Sequence, residues 1–351
     1  MRFVVWMQRR LIRELCKLPE NTVVDCNWLK QVWRKVDGDW VDRFWGQVNK
    51  GPRNKAIKMI AAAPVDVKLE IKQIAWQHFQ IELYYTGHLS GRLEIVDWGV
   101  SDAHKAFKKL MTSFYEDWLR KESIPTPHGD VSTKTLYSTG LASSLVCPYC
   151  DNKMTDANRR MDHFFPDSKF PALSVSLTNL IPACETCNGL SRKHNTLPCS
   201  PDAAESLADW FHPHFRSGAQ KITVQLSGAS PNLRLHVSAI SPTDQPKVDT
   251  FVSCVKLDWA ENPERDVRSY KRDVVVGLFE TPASKDAIVA SLKKWASRYA
   301  MSIGEEPEAI KKHGCFESMV TLPAIIREIE EQLIEDQKIS ASPSNGTQRK
   351  A

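Results

Sequence analysis

The sequence predicts an α+β protein in three parts: a mainly helical N-terminal domain, a small cysteine-tied module and an α+β C-terminal region. Three observations lead there. Apolar residues recur at helical spacing through residues 1–130. Four cysteines then arrive as two C-x-x-C pairs, Cys147 with Cys150 and Cys184 with Cys187. Beyond residue 200, two segments of alternating apolar and polar residues precede a return to helical periodicity. The boundaries that follow are 1–130 for the helical domain, 140–200 for the module, 201–338 for the α+β region and 339–351 for a disordered tail.

The clearest N-terminal helix runs from Ser101 to Glu122. Ser101 is a capping residue, Asp102 falls in the first turn, and Ala103, Phe107, Leu110, Met111, Phe114 and Trp118 form one stripe. A second helix is expected from Pro64 to Tyr85, with Val67, Ile71, Ile74, Ala75, His78 and Leu83 near one face. Eight of the 11 tryptophans lie in this half, where Trp at helical spacing reads as core or interface anchor. Two prolines and a glycine make 124–130 a linker. In the C-terminal region, Lys221–Leu226 and Leu233–Ile240 read as a β-hairpin. Helices follow from Ser284 to Met301 and from Pro323 to Gln337, the second opened by a proline suited to a first helical turn. The tail from Ser340 is small and polar.

Composition narrows the function classes. A 42% hydrophobic share over 351 residues is enough for ordinary cores, and 15 Gly with 20 Pro exclude a collagen-like or wholly disordered chain. No run approaches the roughly 18 consecutive apolar residues of a membrane span. The apolar patch Phe3–Met7 is too short for a secretory segment, so a cytoplasmic protein with no membrane partner is expected. Residues 1–140 carry 22 Lys+Arg against 16 Asp+Glu, a basic bias that suits either phosphate approach or a solvated helical surface. No phosphate-binding glycine loop or dinucleotide fingerprint is present.

Nine cysteines, an odd number, argue against a disulfide framework. Cys16, Cys26, Cys199, Cys254 and Cys315 are scattered and read as small core side chains. The two C-x-x-C pairs are different. They enclose 33 residues and place four thiolates around one ion, the pattern of a structural Zn2+ site. His212 and His214 lack cysteine or carboxylate partners at helical spacing and read as structural.

The insert between the pairs holds Arg159-Arg160-Met161-Asp162-His163-Phe164-Phe165-Pro166, then Asn179 ahead of Cys184, and Asn188 directly after Cys187. Over Val146 to Leu197, about 50 residues, this pattern resembles the HNH (ββα-metal) endonucleases, in the branch tied by a four-cysteine zinc site. The fold class implied is a zinc-stabilised ββα-metal module between the two flanking regions. The resemblance makes His163 the general base toward water, a task suited to an imidazole with an ordinary pKa of roughly 6.5. It makes Asp162 and Asn188 oxygen ligands of a catalytic Mg2+ or Mn2+, with Asn188 where many members carry histidine. Asn179 becomes the brace of the loop that holds His163. The ion would bridge the scissile phosphate and leave 5′-phosphate ends.

Met161, His163 and Phe165 alternate with Asp162 and Phe164 along a short strand, so Asp162 and His163 should project differently. Thr186 to Lys193 reads as the helix of the motif, with Asn188 near its start. Arg159, Arg160, Arg192 and Lys193 are the nearest candidate phosphate contacts, and His194 lies close by. The expected activity is hydrolysis of phosphodiester bonds in DNA, with RNA open because the module reads backbone more than bases. A narrower resemblance to HNH proteins of bacterial anti-phage systems implies a defence role and a partner protein such as an ATPase. The alternative is a zinc-stabilised nucleic-acid-binding or interaction module that does not cut.

Overall fold

The computed structural model describes residues 1–33, 39–89, 95–136, 145–197, 211–213, 221–257, 259 and 262–341. The described chain is α+β and mainly helical, with two small two-stranded antiparallel sheets. It divides into one unit of Met1–Cys147 with Met154–Ser217, and another of Pro148–Lys153 with Gly218–Ala351. Among the described residues no helix is long and apolar enough to cross a membrane.

The first unit opens with α1 (Arg2–Leu15), α2 (Cys26–Val32), α3 (Trp40–Val48), α4 (Gly51–Ala62), α5 (Val65–Phe79), α6 (Ile81–Tyr85) and α7 (Asp102–Ser113). The expected helix from Pro64 to Tyr85 is broken at Gln80, and Leu83, placed on its apolar face, is 39% exposed. Ile71, Ile74, Ala75 and His78 are buried as that face requires. Ser101 caps α7 by accepting the His104 N–H, and the helix runs on through a π turn, Phe114–Leu119. The six apolar residues of its stripe are all buried.

Aromatic packing anchors this unit. Trp33 stacks on Trp40 at 5.1 Å, and Phe44 meets both Phe114 and Trp118. Segment 124–130 is pinned rather than loose: Ile124 is fully buried and pairs with Val131 as an antiparallel bridge. A short α8 (Thr133–Leu136) follows. The buried Lys68 ammonium is satisfied by the carbonyls of Leu18 and Ala61, at 2.8 and 2.7 Å. Then come β1 (Arg159–His163), a 3-10 turn at Pro171–Leu173, β2 (Leu180–Cys184) and α9 (Glu185–Asn188).

In the second unit, β3 (Ile222–Ser227) and β4 (Arg234–Ala239) form the expected hairpin, in register from Ile222 opposite Ala239 to Ser227 opposite Arg234. Helices α10 (Gln245–Val255), α11 (Pro263–Leu278), α12 (Lys285–Met301), α13 (Ala309–Val320) and α14 (Pro323–Ala341) follow. Ser284 caps α12 by accepting the Ala287 N–H at 3.3 Å. Tyr270, Trp295 and Tyr299 gather on Phe316 at 5.4–6.0 Å. Helix α14 continues three residues into the segment expected as tail, and 342–351 lie outside the described residues. The thiols of Cys16 and Cys315 are pushed up to about 12 by burial, which keeps them protonated and inert. Cys199 and His214 lie outside the described residues.

Candidate active site and metal centre

The four cysteines expected to bind zinc come from two sharp corners of the chain. Cys184 ends β2 and Cys187 lies one turn on, in α9; Cys147 and Cys150 flank the turn at Pro148-Tyr149. All four are buried, and their thiols lie within 4.8 Å of one another. The backbone N–H of Cys184 donates to Cys147 Sγ at 3.4 Å. Tetrahedral zinc with Zn–S near 2.3 Å needs sulfurs about 4 Å apart, so the donor set fits that ion. Among the described residues this is the one group of three or more His, Cys, Asp or Glu side chains close enough to hold a metal.

Strands β1 and β2 pair antiparallel, Arg159 opposite Cys184 and His163 opposite Leu180. Asn179, one residue before β2, ties the chain beyond β1. Its Oδ1 accepts the Phe165 N–H at 2.7 Å, and its Nδ2 donates to the carbonyls of Phe165 and Leu173 at 3.1 and 3.2 Å. Its backbone carbonyl accepts the Phe164 N–H at 2.8 Å. A single buried amide thus clamps both ends of the loop that follows His163.

His163 is half-buried at the end of β1. Its Nε2 lies 2.8 Å from the carbonyl oxygen of Ser174, and the Tyr115 ring stands edge-on to the imidazole at 4.5 Å. A carbonyl only accepts, so Nε2 carries the proton and Nδ1 of the neutral ring keeps the basic lone pair. Ser174 is itself fixed by the helical layer: its Oγ donates to the Met111 carbonyl at 2.6 Å and accepts from Gln8 Nε2 at 3.0 Å. The chain after β1 is further anchored by Trp98, whose indole donates to the Lys169 carbonyl.

One cleft of about 870 Å3 collects most of the expected site. Asp162, His163, Asn188, Arg159 and Arg160 line it, together with Tyr115, Arg120, Lys134 and His194. Arg120, Arg159 and Arg160 make ion pairs of 3.1 Å with Glu116, Asp156 and Glu185. The Arg120 and Arg160 pairs are exposed at the rim and worth at most about 1 kcal/mol, so a phosphate can displace those carboxylates, whereas the Arg159 side chain is largely buried. Arg192 is half-buried and outside this lining.

Lys193 differs from the expectation. It is fully buried, with Nζ 2.8 Å from Asp162 Oδ2 and 2.7 Å from the His163 carbonyl oxygen. An ammonium turned inward this way is no surface phosphate contact. The helix that was to span Thr186–Lys193 stops at Asn188, because Gly189 turns into extended backbone and the Lys193 N–H returns to the Cys187 carbonyl. Asp162 and His163 take different partners, as adjacent strand residues do. The carboxylate and amide oxygens of Asp162 and Asn188 suit a hard divalent ion, with one Asp162 oxygen already shared with Lys193.

Arg120, Lys134, Tyr115 and Ser174 were not legible as site residues. Arg120, Lys134 and Tyr115 come from helices and turns distant in sequence, Ser174 from the loop between β1 and β2, and no local motif marks them. His212, by contrast, is structural, buried against Tyr85 and Phe164 at 4.7 and 4.2 Å.

Over 82 residues the chain is 33% identical to Protein ea31 of Escherichia phage lambda, covering 23% of this chain and 25% of that protein. Over 56 residues it is 35% identical to Septu protein PtuB of Bacillus thuringiensis, covering 15% of this chain and 22% of that protein. The match thus spans about a quarter of the length of these curated relatives. No protein-family model and no solved structure matches the chain.

Proposed function

We infer that the first unit carries an HNH-type endonuclease site that hydrolyses phosphodiester bonds in DNA, built on a zinc-tied β1–β2–α9 module. The observation that carries this reading is the convergence of His163, Asp162 and Asn188 on one cleft rimmed by Arg120, Lys134, Arg159 and Arg160. Nδ1 of His163 takes the proton from the attacking water, while the Ser174 carbonyl holds the ring's other nitrogen and stabilises the imidazolium that forms. The arginines and Lys134 hold the flanking phosphates and offset charge developing at the scissile one. Asp162 and Asn188 are the residues that would hold a Mg2+ or Mn2+ ion, which supplies Lewis-acid stabilisation when bound. The four thiolates hold Zn2+ and keep the module folded.

Partial similarity to a Septu protein accords with a role in anti-phage defence alongside a partner protein such as an ATPase. The rival, a zinc-stabilised module that binds without cutting, draws on the Lys193–Asp162 pair, which occupies the carboxylate expected to hold the ion. Cleavage of supercoiled, linear and single-stranded DNA, and of RNA, in Mg2+ or Mn2+ decides between them. His163→Ala should lower cleavage at least about a hundredfold, the lower end for a general base, with nucleic-acid binding unchanged in a gel shift. Binding with no metal-dependent cleavage of any of these substrates by the parent protein would leave the non-cutting reading.

A further inference from the structure

Lys193 is placed by the way the chain leaves the second knuckle. After α9 the backbone turns through Gly189, the Arg192 N–H returns to the Gly189 carbonyl, and the Lys193 N–H returns to that of Cys187. His194 then takes a left-handed conformation, φ 38°. The side chain is driven under β1, where its ammonium meets three consecutive residues: Asp162 Oδ2 at 2.8 Å, the His163 carbonyl at 2.7 Å and the Phe164 ring at 6.0 Å. Lys193 is 0% and Asp162 4% exposed. A buried ammonium is tolerated only with a compensating anion and hydrogen bonds, and both are supplied by the strand that bears the proposed base.

We propose that Lys193 is a resident cation buried behind this cleft: it locks Asp162 and the His163 backbone in place, and by sharing the Asp162 carboxylate it weakens the hold on a divalent ion. This rests on reading the cleft as a nuclease site, although its ion-binding part can be measured without cleavage. The physical basis is competition. An ion approaching Asp162 meets a carboxylate whose charge is already offset, beside a like charge that water screens poorly at that depth. Lys193 is a positioning residue; it reaches the reaction through Asp162 and His163.

The test is Mn2+ binding to the zinc-loaded full chain, by calorimetry or paramagnetic resonance, beside cleavage kinetics. Lys193→Met should bind Mn2+ at least about tenfold more tightly than the parent, and adding Asp162→Asn should abolish that gain. Its cleavage rate constant should fall about tenfold or more as His163 loses its anchor, and Lys193→Arg should restore most of it. Unchanged or weaker Mn2+ affinity in a folded, zinc-replete Lys193→Met overturns the proposal. Should that variant fail to fold, Asp162→Asn alone decides: a change under about threefold in Mn2+ affinity supports the sharing, and a tenfold loss overturns it. If the parent never cleaves but the Lys193→Met gain appears, the nuclease reading fails and the sharing stands; if cleavage is intact and the gain is absent, the reverse holds.

Discussion

At the scale of single residues, the cleft is ordered by polar side chains given enough partners to be buried. Asn179 uses both its acceptor and its donors on backbone groups of the loop after β1. Each such bond is worth only about 1 kcal/mol net, yet leaving a buried partner unmade costs up to about 3 kcal/mol, so the loop has few alternatives. Asp151 in the second unit is a contrasting case. Its Oδ2 accepts the Ile310 N–H at 2.8 Å. Burial, reinforced by Glu308, pushes its carboxyl up to about 7, against the lowering effect of the Ile310 N–H, Lys312 and Lys311. A carboxyl raised on folding stabilises the native state below its unfolded value near 4, and that contribution is lost as pH rises to about 7. Asp151→Asn, which keeps an oxygen for Ile310, should therefore gain stability over the parent progressively from pH 4 to 7. Urea unfolding across that range measures it, and a constant difference would refute the assignment.

At the scale of elements, the contacts that set geometry are those where backbone approaches backbone. Helix α13 lies against β3 so closely that a Cβ built on Gly314 would sit 2.1 Å from the Val224 carbonyl oxygen. The same contact includes the Ser318 hydroxyl, which accepts the Leu226 N–H at 2.9 Å. Gly314→Ala should force the helix off the hairpin and cost about 1–3 kcal/mol or more, as overpacking does. A lowered melting temperature reads this out; an unchanged one would mean that α13 and β3 are not packed this tightly. In the first unit the corresponding device is the corner where β2 runs into α9. That single turn is too short to be stable alone, and it holds its shape through the cysteine cluster and the return of Lys193 to Cys187.

At the scale of the whole molecule, zinc is expected to carry stability that the small module cannot supply by burial. Four thiols within 4.8 Å of one another, left without an ion, are a set of buried sulfurs with only weak attractions. Stripping the metal with a strong chelator, or replacing Cys184 by Ser, should lower stability by several kcal/mol or unfold the module, since structural zinc contributes directly to folding. Metal analysis and calorimetry check this together. Purified protein that carries no zinc, with a Cys184→Ser variant that melts like the parent, would remove the four-thiolate assignment. The helical layer also has a share in the site, because Gln8 of α1 and Met111 of α7 hold Ser174, and Ser174 holds His163.

Local pattern determined a good deal by itself: the α7 stripe with its Ser101 cap, the β3–β4 hairpin, and the pairing of the four cysteines. Each rests on spacing that chemistry dictates over a few residues, whether helical period, strand alternation or knuckle geometry. Only the tertiary structure decided what surrounds His163. Arg120 reaches the cleft from the turn after the α7 π segment and Lys134 from α8, both outside the module, and the inward course of Lys193 depends on a buried carboxylate that no linear pattern announces. A lysine in a short polar turn looks like surface charge until the fold supplies an anion at 2.8 Å and removes the water around it.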